Sequence, residues 1–156
     1  MDYAKIFKAE GVHPDIQASD AEGVLDELTQ ILSEAEGLPK KTVKAIHGKL
    51  HGKLAMGATG AIGHGVAVPH VKLPGVKQTM AVFGRTRKPI DFLAGDGIPA
   101  SLFFLVVGPE DAPEEHLEFM RWIAGISRNK DFRSFAMACS GKKDLQELLA
   151  EMSPQV

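Results

Sequence analysis

The sequence has little of several residue types that mark special classes of protein. Its 156 residues include one cysteine, Cys139, so an intramolecular disulfide is excluded. Aromatic residues make up 6% of the chain, and they are not interleaved with basic residues as in single-strand nucleic-acid-binding proteins. The formal net charge of -2 gives no strong field to attract nucleic acid or an anionic membrane. We therefore expect no nucleic-acid partner.

Long hydrophobic segments are also missing. The longest apolar run, Ile98 to Val107, has the length of a strand and contains Pro99 and Ser101, so it is too short to cross a bilayer. The first residues, from Met1 to Gly11, carry several charged side chains and lack the apolar core of a signal peptide. We expect a soluble, cytoplasmic protein without membrane insertion.

The first third of the chain predicts two helices. Ser19 is the expected N-cap of the first, with Glu22 at the capping-box position and Gly37 as its end. Pro39 suits the first turn of the second. Apolar residues recur at helical spacing in both segments: Val24, Leu25, Leu28, Ile31 and Leu32, then Val43, Ile46 and Leu50.

The rest of the chain predicts strands followed by helices. The expected strands are Val66–Val68, Met80–Phe83, an edge piece at Ile90–Leu93, and a central strand at Leu102–Val107, which is apolar enough to be buried on both faces. Pro113 opens a helix whose apolar face is expected to be Leu117, Met120, Ile123, Ala124 and Ser127. Two shorter helices follow, around Phe132–Ala136 and Leu145–Leu149. The pattern predicts an α/β (α+β) fold, a mixed central β-sheet flanked by helices on both faces, in a single domain spanning residues 1–156.

A histidine stands at the end of one predicted strand, after a glycine-rich segment. Pro69 stops the strand, His70 follows directly, and Gly57 to Gly65 lies upstream. Strand ends of open α/β sheets collect ligands and reactive groups, and glycine N–H groups can approach an anion closely. Neutral imidazole is a competent nucleophile, so His70 could carry a phosphoryl group. A polar strand-end histidine beside an ordinary loop is the alternative.

A second histidine is placed to reach the same edge of the sheet. His116 lies near the start of the helix that follows the buried strand, and this junction also falls at a sheet end. From there it could donate a hydrogen bond to phosphoryl oxygens. An exposed helix histidine is the alternative interpretation.

The segment from Thr59 to His70 resembles the phosphorylation-site signature of a known family. This is the fructose/mannitol-type enzyme IIA family of the bacterial phosphoenolpyruvate-dependent phosphotransferase system, typically Ser-Thr-Gly-Ile-Gly-x-Gly-Val-Ala-Ile-Pro-His. Gly63 to His70 matches without a gap except that Val68 stands for Ile. Ala58 replaces the Ser, and Thr59 to Gly63 is either one residue longer than the pattern or shifted in register.

Two further stretches bear on this resemblance. Glu115-His116-Leu117 is similar to the family's second histidine motif. The family often has an Arg-Glu pair upstream of the signature, where this sequence has Lys53 and Leu54. Lys53 supplies the charge without a bidentate fork for phosphate, and the glutamate has no counterpart.

The resemblance implies a phosphocarrier. His70 would be the phosphorylated nucleophile, with His116 stabilising the transferred group and Lys53, Thr59 and the N–H groups near Gly63 and Gly65 contributing to binding. No cofactor and no metal are implied. The donor would be the phosphorylated histidine protein HPr or its nitrogen-branch paralogue.

The fate of the phosphoryl group has alternatives under the same resemblance. It would pass to a IIB domain in sugar uptake, in association with a membrane IIC component. Alternatively, the protein is a stand-alone nitrogen-regulatory IIA-like protein whose phosphorylation state controls binding to a regulatory target. A degenerate paralogue that only binds partners stays open, and no Ser-His-Asp or paired-carboxylate pattern supports a hydrolase.

His47 and His51 are four residues apart on a predicted helix, which is a spacing that can bind a metal. Gly48 follows His47 in place of the glutamate of zinc proteases, and Lys49 and Lys53 disfavour a cation. We therefore predict a solvated helix face and no metal at this position.

Overall fold

The computed structural model describes residues 2–153 and contains one mixed sheet of six strands with helices on both faces. A short 3₁₀ helix, Tyr3–Ile6, comes first. The strands are β1 (Phe7–His13), β2 (Ala61–Gly63), β3 (Val66–Ala67), β4 (His70–Leu73), β5 (Met80–Ile90) and β6 (Ala100–Pro109). The helices are α1 (Ala21–Glu36), α2 (Lys40–Ala55), α3 (Pro113–Arg128), α4 (Lys130–Ala138) and α5 (Lys142–Met152).

Strand β6 is the centre of the sheet. The strand order is β1-β5-β6-β3-β2, and β4 also pairs with β6, beyond β3 on the same side. β5 runs antiparallel to β6, whereas β3 and β4 run parallel to it. Successive side chains of a strand point to opposite faces. Phe103, Leu105 and Val107 therefore pack under α1 and α2, while Leu102, Phe104 and Val106 pack under α3, α4 and α5. The predicted fold class is confirmed.

The N-terminal helices form as their apolar periodicity predicts, with one correction at the cap. Asp20 caps α1, because its carboxylate accepts a hydrogen bond of 2.8 Å from the N–H of Gly23; the prediction of Ser19 was wrong by one residue. Gly37 ends the helix in the left-handed conformation with φ of 63°. Pro39 is the residue before α2 rather than its first residue.

The structure differs from the prediction at four strands. β1 and β2 were not predicted. β5 is a single strand that reaches Ile90, so the separate edge piece at Ile90–Leu93 does not form. β4 was also missed: the chain resumes pairing at His70, because the carbonyl of Pro69 still accepts a hydrogen bond of 3.0 Å from the N–H of Val106.

The buried face of α3 is rotated by about one residue from the prediction. Leu117 is exposed, whereas His116, Phe119, Ile123 and Ile126 are buried with Ser127. The stripe that contains Phe119 buries more apolar area than the one that contains Leu117, so it faces the sheet. This rotation carries His116 into the interior.

Arg85 lies inside the protein, in the middle of β5. Its guanidinium donates to the carbonyls of Pro14, Ala136 and Cys139, and thereby binds the C-terminal end of α4.

None of the helices within residues 2–153 combines the length and the apolarity that crossing a membrane requires.

Candidate functional site

His70 is held in one orientation by its own strand. Its Nδ1 lies 2.7 Å from the carbonyl oxygen of Val68, and because a carbonyl only accepts, Nδ1 carries the proton. In the neutral ring Nε2 is then unprotonated and carries the free lone pair. The main chain is fixed as well, since Lys53 donates from Nζ to the carbonyl of His70 at 2.7 Å. The ring is therefore held in one position, with the Nε2 lone pair free of the hydrogen bond to Val68.

The second predicted histidine does approach the first. The ring centroids of His70 and His116 are 6.1 Å apart, with an angle of 41° between the planes. His116 is 7% exposed, and its Nδ1 is buried without a hydrogen-bond partner. A buried N–H without an acceptor is rarer and costlier than an unpartnered acceptor, so the proton of the neutral ring belongs on Nε2.

Burial and nearby cations keep His116 neutral. The pKa of His116 is lowered from its ordinary value, first by desolvation and then by the charges of His70, Lys72 and Lys53. A neutral ring that is protonated at Nε2 can still donate a hydrogen bond to an anion.

Three lysines give this edge of the sheet a positive charge. Lys49 donates from Nζ to the carbonyl of Lys72 at 2.9 Å, one turn of helix before the contact of Lys53 with His70. Partial desolvation lowers the pKa of Lys53 from its usual value, and the charges of Lys49 and Lys72 lower it further. The site therefore favours an anion beside His70.

The predicted residue Thr59 lies beside His70, in a cavity of about 160 Å³ that Lys53 and Gly60 also line. Its hydroxyl makes two hydrogen bonds within the protein: it donates to the carbonyl of Phe92 and accepts one of 3.2 Å from the N–H of Ala61. The side chain thus fixes the loop that lines the cavity. A larger cavity of about 550 Å³ lies at the other end of α2 and contains none of the predicted site residues.

Gly63 and Gly65 are not among the residues that line this cavity. They flank the turn between β2 and β3, where both have positive φ. The N–H of His64 in this turn donates a hydrogen bond of 2.8 Å to the carboxylate of Asp96. This N–H is therefore already bound to an anionic group of the protein itself. The same hydrogen bond is the main reason why the pKa of Asp96 is lowered. Neither glycine therefore shares this cavity with His70.

Two glycines that support the site were missed. A Cβ on Gly60 would lie 2.7 Å from the carbonyl of Val68, the group that orients His70. A Cβ on Gly108 would lie 2.6 Å from Nδ1 of His116. In the sequence, Gly60 is only one of several glycines in a glycine-rich segment, and Gly108 is only the residue at the end of a predicted strand. Each contact joins residues eight positions apart, but it depends on how the loop, the strand and the helix pack, which local patterns do not reveal.

Comparison with known proteins identifies the family to which the chain is similar. Residues 5–152 match the family model described as "Phosphoenolpyruvate-dependent sugar phosphotransferase system, EIIA 2". The chain is 31% identical over 150 residues to a nitrogen regulatory protein of Bradyrhizobium diazoefficiens, covering 96% of this chain and 95% of the relative. It is 32% identical over 95 residues to a fructose-specific EIIA component of the PTS system from Haloferax volcanii, covering 61% of this chain and 62% of the relative.

A solved structure supports the same relationship. The nitrogen regulatory protein IIA-Ntr from Neisseria meningitidis superposes with a TM-score of 0.83 at 29% identity, covering 94% of this chain and 97% of that chain.

Proposed function

Because the chain belongs to the EIIA 2 family of the phosphoenolpyruvate-dependent sugar phosphotransferase system, we propose that it is a phosphocarrier that takes up a phosphoryl group on Nε2 of His70. The observation that carries the proposal is the hydrogen bond from Nδ1 to the carbonyl of Val68. It leaves Nε2 as the nitrogen that is free to attack.

The reaction is a displacement at phosphorus. The lone pair of His70 Nε2 attacks the phosphoryl group of a phosphohistidine donor, a new N–P bond forms, and the donor's N–P bond breaks with its electron pair returning to the donor imidazole. Little other covalent chemistry is needed, so positioning and charge stabilisation supply the catalysis.

His116 and Lys53 stabilise the phosphoryl oxygens in this proposal. His116 donates from Nε2, and its lowered pKa keeps the ring neutral at neutral pH. Lys53 holds the main chain of His70 and adds positive charge at the same edge. Preorganised donors of this kind each contribute about 10²–10³-fold to a rate. We assign Thr59 to fixing the loop, and Gly63 and Gly65 to shaping the neighbouring turn.

We propose HPr or its nitrogen-branch paralogue as the donor, and regulation as the output. The relative from Bradyrhizobium diazoefficiens, which matches over nearly its whole length, is called a nitrogen regulatory protein. In this role the phosphorylation state of His70 controls binding to a target protein. Delivery to a IIB domain in sugar uptake is the second candidate, supported by the likeness to a fructose-specific EIIA component.

The phosphocarrier proposal is tested by labelling with phosphoenolpyruvate, enzyme I and HPr. We expect one acid-labile, base-stable phosphoryl group per chain, bound to Nε2 when its position is determined by NMR. His70→Ala should abolish the label. His64→Asn is the matched control, because it removes another histidine and asparagine tolerates the positive φ at this position. It should label as the parent does. Equal labelling of His70→Ala and the parent would overturn the proposal.

The output is tested by mixing the labelled chain with a fructose-type IIB domain. Regulation predicts that the label stays on His70, while appearance of the label on IIB within the time of HPr transfer supports sugar uptake instead.

A further inference from the structure

Three metal-ligating side chains meet on the outer surface of the first two helices. Asp26 of α1 faces His47 and His51 of α2, and the ligand atoms of the three residues all lie within 4.8 Å of one another. Nε2 of His51 is 2.7 Å from Oδ1 of Asp26, and Nε2 of His47 is 3.3 Å from the same oxygen. Two imidazole nitrogens thus converge on one carboxylate oxygen.

Helix geometry produces this convergence. Residues four apart lie on one face of a helix, one turn above the other. The rings of His47 and His51 are stacked, with centroids 4.2 Å apart and an angle of 29° between them. Their Nε2 atoms therefore point the same way, towards Asp26 across the contact between α1 and α2. The sequence supplies the histidine pair, but only the packing of the two helices supplies the third ligand.

The lysines that argued against a cation at this position point elsewhere. Nζ of Lys49 is bound to the carbonyl of Lys72, and Nζ of Lys53 to the carbonyl of His70. Both ammonium groups are therefore anchored on β4. The cluster itself contains a carboxylate and two imidazoles.

We propose that Asp26, His47 and His51 bind a divalent transition-metal ion of the Zn²⁺ class, through two nitrogens and one oxygen, with water completing the coordination. Two ligands bound to a tetrahedral Zn²⁺ at its usual bond lengths lie about 3.3 Å apart. The separation between His47 and Asp26 already has this value, and the other distances require only small side-chain movements. Imidazole and carboxylate donors suit Zn²⁺, Ni²⁺ and Cu²⁺ better than Mg²⁺ or Ca²⁺.

Binding exchanges protons for the metal. In the metal-free cluster the protons on Nε2 of the two histidines hold the rings against Asp26. When the ion binds, these nitrogens must give up their protons to the Nδ1 atoms or to solvent. The ion then links α1 to α2. This site does not involve His70, so it is independent of the proposed phosphocarrier function.

The experiment is titration of the chelator-treated chain with Zn²⁺ against a chromophoric competitor. We expect one ion per chain, and at least tenfold weaker binding by Asp26→Asn and by His51→Ala. Co²⁺ should give visible absorption bands of a nitrogen and oxygen coordinated ion in the parent and not in either variant.

Two control variants separate a built site from general binding to surface histidines and carboxylates. His64→Asn removes an imidazole outside the cluster, and Glu22→Gln removes an exposed carboxylate on α1. Both should bind as the parent does. Circular dichroism checks that each variant is folded. The proposal is overturned if Asp26→Asn binds Zn²⁺ as tightly as the parent, or if the parent binds less than half an ion per chain at saturation.

Discussion

The buried imidazole of His116 occupies the space that a side chain at Gly108 would fill. A Cβ at this position would lie 2.6 Å from Nδ1 and 3.4 Å from Cε1 of the ring. Gly108 lies on β6 opposite Lys72 of β4, and His116 comes from α3 above it. The strand and the helix can therefore bring the two histidines together only while position 108 has no side chain.

Gly108→Ala should displace His116. We expect a loss of about 1–3 kcal/mol in the free energy of unfolding, the usual cost of overpacking, and at least tenfold slower phosphoryl transfer. Urea denaturation and rapid-quench labelling measure the two effects. The control is Gly125→Ala on α3, the helix that carries His116, where the new methyl group meets nothing within 4 Å. That variant should gain about 0.5–1 kcal/mol and transfer normally. Normal transfer by Gly108→Ala would contradict the assigned role of His116.

Gly60→Ala should disturb the orientation of His70. Its methyl group would collide with the peptide between Val68 and Pro69, and the backbone at Gly60 has φ of 82°. Gly57→Ala is the matched control, because it has φ of 80° but open space around the new methyl group. The control should lose about 1–2 kcal/mol of stability from backbone strain alone. Gly60→Ala should lose more stability than the control and should also transfer the phosphoryl group more slowly. If the two substitutions have equal effects, the close contact of Gly60 with the peptide between Val68 and Pro69 does not help to orient His70.

Lys53→Met should slow transfer without unfolding the protein. It removes the hydrogen bond to the carbonyl of His70 and one positive charge of the site. We expect a rate about 10–100-fold lower and a change in stability below about 1 kcal/mol, since the lysine is exposed. Lys44→Met, an exposed lysine on the same helix, should transfer as the parent does. If Lys53→Met transfers the phosphoryl group at the rate of the parent, Lys53 has no role in the transfer.

The stability of the fold should fall as the pH falls through about 6.5, partly because of His116. Its pKa is lowered in the folded state, so between that lowered value and about 6.5 the unfolded chain binds more protons. Protonation therefore favours unfolding, and this contribution is present in full above pH 6.5. Urea midpoints at about pH 7.5 and about pH 5.5 should differ more for the parent than for His116→Gln. If the shift of the urea midpoint with pH is the same in the two proteins, burial does not lower the pKa of His116.

Local patterns predicted the elements with strong periodicity and missed those that depend on distant pairing. The stripe Val24, Leu28, Leu32 and the cap at Gly37 are enough to specify α1. Strand β1 has exposed Lys8, Ala9 and Glu10 in its middle, and only its parallel pairing with β5 makes it a strand.

The sequence identified the two histidines of the candidate site but not the residues that support them. His70 and His116 were named from the sequence, and the fold places their rings near each other. Gly63 and Gly65 also fit the resemblance, yet Asp96, from a distant loop, binds the turn between them. The hydrogen bond between His70 and Val68 depends on the break at Pro69, and Gly108 acts through a helix that follows it in the chain. The residues in these contacts are two and eight positions apart, but they meet only because of how the strand, the loop and the helix pack, which the pattern of residue types does not reveal.

The anchoring of His70 limits how partners can use it. Nδ1 is bound to Val68, the carbonyl is bound to Lys53, and the residue begins a strand paired with β6, so the ring cannot swing between two docking positions. Under the proposed function, a phosphoryl donor and a later recipient would have to approach the same nitrogen from the same side. Donor and recipient would then exclude each other, and a chain bound to its target through this surface would not be phosphorylated again until it is released.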